Sequence, residues 1–170
     1  MSKFYVVATP IGNMGDITLR AIETLKSVDL ILCEDTRETK KILDKYGISK
    51  PTMSYHAQSK LAKVDKIFEL LEEGKNLALV SDAGTPTISD PGAMLVSQIL
   101  ARQDLARVLA RVIPIPGASA VITALSASGL PTHEFTFLGF PRTKKVGKHY
   151  LKKLPVQKEL WCFMNLRIGF

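Results

Sequence analysis

Three stretches of this sequence concentrate Gly, Pro, Ser, Thr and Asp: residues 9–16, residues 81–92 and residues 114–120. Glycine lets a main chain approach a ligand closely, and the free N–H groups at the start of a helix suit a carboxylate or a phosphate. Each stretch alone reads equally well as a tight turn. Three together point to one polar ligand edge, suited to a polar cofactor. The common alternatives lack their residues. No Gly-x-Gly-x-x-Gly follows the first apolar run and no Gly-x-x-x-x-Gly-Lys-Ser/Thr occurs, which disfavours dinucleotide oxidoreductases and P-loop NTPases. There is no Gly-x-Ser-x-Gly elbow, and His56, His133 and His149 have no triad setting and read as surface residues. Cys33 and Cys162 lack the close Cys or His neighbours of a zinc site and read as buried thiols; no metal is expected.

The elements that must hold these loops follow from hydrophobic spacing. Short β-branched runs alternate with longer amphipathic stretches, so the fold class is α/β, a parallel-rich sheet flanked by helices. In such a sheet the loops leaving the strands share the carboxyl edge, where ligands bind. Strands are expected at residues 4–8, 30–33, 52–55, 76–81, 112–115 and 134–138. A helix from about Ile17, capped by Asp16, would bury Ile17, Leu19, Ile22, Leu25 and Val28. Glu34 and Asp35 lead into a second helix, with Asp35 and Glu38 at capping-box spacing and Gly47 as the stop. A third helix, residues 59–73, would bury Leu61, Val64, Ile67, Phe68 and Leu71 before Gly74. Asp90 and Pro91 open a fourth, expected to reach about Arg111, and residues 119–127 form a fifth. The expected division is an N-terminal α/β domain over residues 1–116, followed by an incomplete C-terminal α/β domain over residues 117–170.

The net charge of +7, from 23 Lys and Arg against 16 Asp and Glu, favours an anionic partner. The excess is local: residues 142–153 carry six basic side chains and no acid. Arg142, Lys144, Lys145 and Lys148 are the RNA-binding candidates; a solvated linker is the plain alternative. The N-terminus runs directly into an apolar strand, so the expectation is a cytoplasmic chain with no membrane partner.

The order and spacing of residues 7–21, of Cys33, Glu34, Asp35, Thr36 and Arg37, of residues 81–92 and of residues 116–120 closely resemble the ribosomal RNA small subunit methyltransferase I family, within the tetrapyrrole (corrin/porphyrin) methylases. Residues 137–141 followed by lysines resemble that family's next segment, so the resemblance covers roughly residues 3–148. It implies a class III S-adenosylmethionine-dependent methyltransferase, with the cofactor in a cleft between two α/β domains. The expected reaction is methylation of the 2′-oxygen of a cytidine in 16S rRNA, with 16S rRNA or the small ribosomal subunit as partner and a homodimer as the assembly. Carried over by position, Asp82, Ala83, Gly84, Thr85, Pro86, Ile88 and Ser89 lie against the cofactor, Ser119 and Ala120 sit beside it, and Pro10 and Gly12 line the opening. Thr85 stands where the tetrapyrrole relatives usually carry Asp, which supports the RNA branch.

Methyl transfer from a sulfonium is an in-line displacement, driven largely by near-attack geometry. A ribose hydroxyl is a poor nucleophile, and a carboxylate that accepts its proton helps. Glu34 and Asp35, at the end of the second strand, are the catalytic candidates, with Arg37 as a phosphate or carboxylate clamp. Asp35 also reads as a plain helix cap with Arg37 as its surface partner. The alternatives to an RNA methylase are a porphyrin or corrin precursor methylase and an inactive, truncated cofactor-binding remnant.

Two departures from the family stand out. Residues 92–116 run several residues long, around the repeated triplet at Leu100, Leu105 and Leu109. Family members also continue well past this length. Where they have a strand reading approximately Val-Phe-Tyr-Glu-Ser-Pro-His-Arg, this chain has Leu160, Trp161, Cys162, Phe163 and Met164, a string that one reading-frame shift between about Gln157 and Leu160 would generate. The chain is therefore expected to be C-terminally truncated or frameshifted.

Overall fold

The computed structural model describes residues 1–56, 61–104, 110–140 and 161–162. The chain divides into two compact units, Met1–Ser119 and Ala120–Phe170. The first is built on a five-stranded sheet of β1 (Ser2–Val7), β2 (Leu30–Cys33), β3 (Thr52–Ser54), β4 (Leu77–Val80) and β5 (Ala110–Ile115), in the order β3-β2-β4-β1-β5. Every pairing is parallel, from Phe4 opposite Leu77 in the centre to Val6 opposite Pro114 on the outside. Pro114 donates no hydrogen bond, and β5 is an edge strand, where that loss is tolerated.

Alternation along the strands divides the core in two. Phe4, Val6, Leu32, Leu77 and Leu79 face α3 (Leu61–Glu72) and α4 (Gly92–Asp104), which contribute Ile67, Phe68, Leu71, Leu95 and Ile99. Val7, Ile31, Cys33, Ala78 and Val80 face α1 (Leu19–Ser27) and α2 (Thr36–Lys45), through Ala21, Leu25, Ile42 and Leu43. This is the period-two pattern of a sheet covered on both sides. Phe68 is 2% exposed; truncating such a side chain to Ala costs about 3–5 kcal/mol. The Arg102 guanidinium lies 3.4 Å over its ring and clips α4 to α3.

Gly47 and Gly74 stop α2 and α3 as expected, both with positive φ. In each the residue after the glycine donates back into the helix, Ile48 N–H to the Leu43 carbonyl and Lys75 N–H to the Leu70 carbonyl, the pattern of a Schellman stop.

Several boundaries differ from the expectation. Asp16 does not cap α1: it ends a 3-10 turn, Met14–Asp16, whose cap is Asn13, and α1 begins two residues after Ile17 with Thr18 as its cap, the Thr18 hydroxyl accepting from Ala21 N–H at 3.1 Å. Ile17 reaches the core from extended backbone, which turns Leu19 outward to 78% exposure. Leu61 is likewise 81% exposed, because it starts α3 before the helix meets the sheet. The fourth helix cannot reach Arg111, since Ala110 already pairs with Ser2 in β5. Part of the repeated triplet, residues 105–109, lies outside the described residues.

In the second unit, α5 (Ala120–Ser126) precedes β6 (Thr136–Phe137), which pairs in parallel with β7 (Trp161–Cys162). The Phe137 and Phe140 rings meet edge to face at 6.0 Å. The strand expected over 134–138 is thus present over two residues.

Candidate active site

All five strands of the first unit point the same way, so the three Gly- and Pro-rich loops leave from one edge. The loops after β1 and β4 meet because their connections cross: β1 leads over β4 to β2, and β4 leads over β1 to β5. A two-way bridge closes the crossing. Thr9 N–H donates to the Gly84 carbonyl at 2.9 Å and Gly84 N–H donates back at 3.1 Å. The Thr9 hydroxyl donates to the Ser81 carbonyl at 2.9 Å, and that of Thr85 to the Ala118 carbonyl at 3.2 Å, which ties in the third loop. Gly117 lies so close to Ala8 that a Cβ there would sit 2.8 Å from the Ala8 Cβ. Gly84 needs its glycine for conformation, at φ +83°.

The predicted cofactor residues divide within this assembly. Pro10, Gly84 and Pro86 are buried and build the floor; Gly12, Asp82, Ala83, Ile88 and Ser89 are exposed above it. Ile88 is 55% exposed between Thr87 and Ser89, both of which hold positive φ. Non-glycine residues take that conformation at a cost that clusters at ligand sites. An apolar side chain beside exposed main chain on a buried floor fits a ligand with both an apolar ring and polar ends. Ser119 ends the first unit and Ala120 opens α5 of the second.

The second feature of this edge is the junction between β2 and β4. These neighbours send their chains apart, β2 toward β3 and β4 toward β5, which is the arrangement that opens a crevice at a strand edge. Glu34, half-buried, and Asp35 follow β2; Asp82 follows β4. Asp35 N–H donates to Asp82 Oδ1 at 3.1 Å across the junction. This corrects the expected capping box. Asp35 does cap α2, accepting from Arg37 N–H at 2.8 Å, but the cap's own N–H goes to Asp82, while Glu38 turns outward to Lys41 at 2.8 Å. A partner from another loop has displaced the local one.

The two candidate bases are consequently unlike. Arg37 binds the Asp35 carboxylate through Nε and Nη2, the shortest contact 2.6 Å, and with the Arg37 main-chain N–H holds its pKa down to about 2. Glu34 moves the other way: burial pushes its carboxyl up, the charges of Asp90 and Asp82 add to that, and His56 opposes it. Asp82 is also raised, chiefly by desolvation, against the hydrogen bond from Asp35. Burial pushes the Cys33 thiol up as well, as suits a buried structural thiol. Of the adjacent pair, Glu34, like Asp82 across the junction, has its protonated form favoured, while Arg37 holds Asp35 in its charged form. Arg37, its side chain 86% exposed, is held by Asp35.

Asp90 was legible only as a helix cap, and it does accept from Gly92 N–H at 2.7 Å, yet its charge also acts on Glu34. Thr9 and Ser81, both buried, are tied to each other beside the bridge through the Thr9 hydroxyl, a role that their place at the start of two of the loops did not reveal. Arg142, Lys144, Lys145 and Lys148 lie outside the described residues. No helix among the described residues is long and apolar enough to cross a membrane.

A family profile described as Tetrapyrrole (Corrin/Porphyrin) Methylases matches residues 3–165. The chain is 50% identical over 164 residues to the ribosomal RNA small subunit methyltransferase I of Bacillus subtilis, covering 96% of this chain and 54% of that protein. It is 44% identical over 165 residues to the protein of the same name from Thermotoga maritima, covering 97% of this chain and 72% of that one. The chain thus spans little more than half the length of the Bacillus relative. Among solved structures it is similar to the putative cobalamin synthesis related protein CobF of Corynebacterium diphtheriae, with a TM-score of 0.67 at 17% identity over 96% of this chain and 72% of that one. A uroporphyrin-III-C-methyltransferase from Thermus thermophilus follows, with a TM-score of 0.57 at 19% identity over 82% of this chain and 60% of that one. At such identities the likeness speaks to the fold alone.

Proposed function

The chain belongs to the tetrapyrrole (corrin/porphyrin) methylase family, in its ribosomal RNA small subunit methyltransferase I branch, and from that premise we propose that it transfers a methyl group from S-adenosylmethionine to the ribose 2′-oxygen of a cytidine in 16S rRNA. The observation that carries this reading is the pairing, on one sheet edge, of a closed loop floor at the β1–β4 crossing with a half-buried carboxylate, Glu34, at the β2–β4 opening.

S-adenosylmethionine supplies an electrophilic methyl on a sulfonium. The residues that would hold it are Pro10, Gly12, Asp82, Ala83, Gly84, Thr85, Pro86, Ile88, Ser89 and Ser119, with Ala120 resting on the resemblance alone. Gly84 and Pro86 floor the site, and Ile88 offers apolar surface. Glu34 accepts the hydroxyl proton as the oxygen attacks; a carboxylate whose charged form is disfavoured in the free protein takes up that proton the more readily. Asp35 and Arg37 orient Glu34 through the turn they stiffen. Arg142, Lys144, Lys145 and Lys148 would track the RNA backbone. A cytoplasmic location and a homodimer complete the reading.

The 170-residue chain is titrated calorimetrically with S-adenosylmethionine and then assayed for methyl transfer to small-subunit rRNA. The expected result is binding near the micromolar level, about 8 kcal/mol, and transfer to the ribose. Binding without transfer would reduce the reading to a cofactor-binding remnant. Transfer to a porphyrin precursor instead of RNA would replace it.

A further inference from the structure

A groove of about 610 Å3 runs along α2, from Thr36 and Arg37 at the carboxyl edge to Ser49 and Lys50 in the turn before β3. Its cations are Arg37, Lys40 and Lys50; its one acid is Asp44. At 1.5 Å per residue, the helix carries the groove about 10 Å away from the edge where Glu34 sits. None of the ion pairs among the described residues takes Lys40 or Lys50. Arg37 joins the groove to the active-site edge. Its pairing with Asp35 uses Nε and Nη2, which leaves the Nη1 side of the guanidinium fork for a second anion.

We propose that this α2–β3 groove is a binding track for a single RNA strand, gripping the phosphodiester backbone beside the nucleotide that enters the active site. The inference rests on the RNA reading above and adds to it a surface on the first unit. The lining decides the class of occupant. Leu43 and Ile48 in the groove wall are only 4% and 6% exposed, which leaves Pro51 as the one exposed apolar residue of the lining. An apolar peptide or helix therefore finds little to bury against. A strand of regularly spaced negative charges finds cations at the mouth, the middle and the far end, and the hydroxyl-bearing Thr36, Ser49 and Thr52 line the same groove. Arg37 grips both the Asp35 cap and an incoming phosphate, so that seating the strand bears directly on the turn that carries Glu34.

The test measures binding of a short cytidine-containing single-stranded RNA to the whole chain and to K40A/K50A, by fluorescence anisotropy across a salt series. Each phosphate neutralised on a single strand contributes about 0.7 to the slope of log affinity against log salt, so the double variant should lose about 1.4 of that slope. Affinity should fall roughly tenfold, while S-adenosylmethionine binding by calorimetry stays unchanged. Lys40 is exposed on a helix where Ala is well accommodated, and the thermal melt checks that the variant is folded. Unchanged affinity and slope overturn the groove, even if the wild-type chain methylates RNA; no RNA binding by the wild type overturns it as well. RNA binding through the groove without methyl transfer upholds the groove and sinks the enzymatic reading. Inorganic polyphosphate is the control: if it competes as well as RNA of equal charge, the groove is a general anion surface and the RNA assignment falls.

Discussion

β4 has a neighbour on each side, and its two junctions have opposite characters. At β1 the departing chains cross and close on each other through the Thr9–Gly84 bridge, and the loop after β5 packs on the same spot where Gly117 meets Ala8. At β2 they diverge, and the gap between them is lined by Glu34, Asp35 and Asp82, joined by a single main-chain to side-chain bond. The closed junction supplies precision and the open one supplies charge. Topology, through the direction in which each chain leaves the sheet, decides which is which.

The largest test of this division is E34Q. If the open junction houses the proton acceptor, methyl transfer should fall about 10²- to 10⁴-fold. Stability should move the other way. An acid whose folded pKa is raised stabilises the fold only below its unfolded pKa, and that contribution is lost as pH rises through the folded value. Charged Glu34 therefore costs stability at neutral pH, so E34Q should melt higher than wild type at pH 7.5 and equally at pH 4. A variant that loses activity and melts lower at neutral pH would instead make Glu34 structural.

G117V probes the closed junction. Its Cβ would fall 2.8 Å from that of Ala8, where the loop after β5 packs on the end of β1 next to Thr9 of the bridge, and overpacking of this kind costs about 1–3 kcal/mol. Chemical denaturation should show that loss together with weakened S-adenosylmethionine binding. If stability drops while binding does not, the closed junction is not the cofactor floor.

T9V is gentler, removing the hydroxyl donated to the Ser81 carbonyl while keeping shape and main-chain bridge, at about 1 kcal/mol. The midpoint of denaturation should fall accordingly, with near-normal turnover.

D35N should have the smallest effect at neutral pH, because Asn caps a helix nearly as well as Asp and solvent screens the exposed pair with Arg37 that it gives up. Its signature lies in acid. The Asp35 carboxyl is held at about 2 against an ordinary 3.8, so its stabilisation is present above about pH 4 and lost as pH falls through 2. The stability of D35N should be flatter than wild type across that interval, and an identical acid limb would deny the Arg37 clamp any role.

The sheet was legible because short β-branched runs alternate with longer amphipathic stretches; which face each residue takes, Phe4, Val6, Leu77 and Leu79 on one and Val7, Ala78 and Val80 on the other, was not, since both sets are apolar. Gly47 and Gly74 were legible because only a local stop was needed. Failures came where a distant partner overrode a local rule. Asp35 and Glu38 have the spacing of a capping box, but Asp82, remote in sequence, takes the main-chain N–H. Asp16 lost the cap of α1 to Thr18 once Ile17 was drawn to the core on extended backbone. The unlike behaviour of the adjacent Glu34 and Asp35 was illegible for the same reason: it depends on Asp90, His56 and Arg37 as neighbours in space.

All four residues of β4 are buried, the strand lies between β2 and β1, and both core clusters pack on it. Its amides should thus be the last in the first unit to exchange with deuterium, opening only when the whole unit unfolds. The loop it feeds surfaces within two residues, at Asp82 and Ala83. A slow clock and a fast one should be joined end to end there, the loop opening while the scaffold that aims it keeps its register.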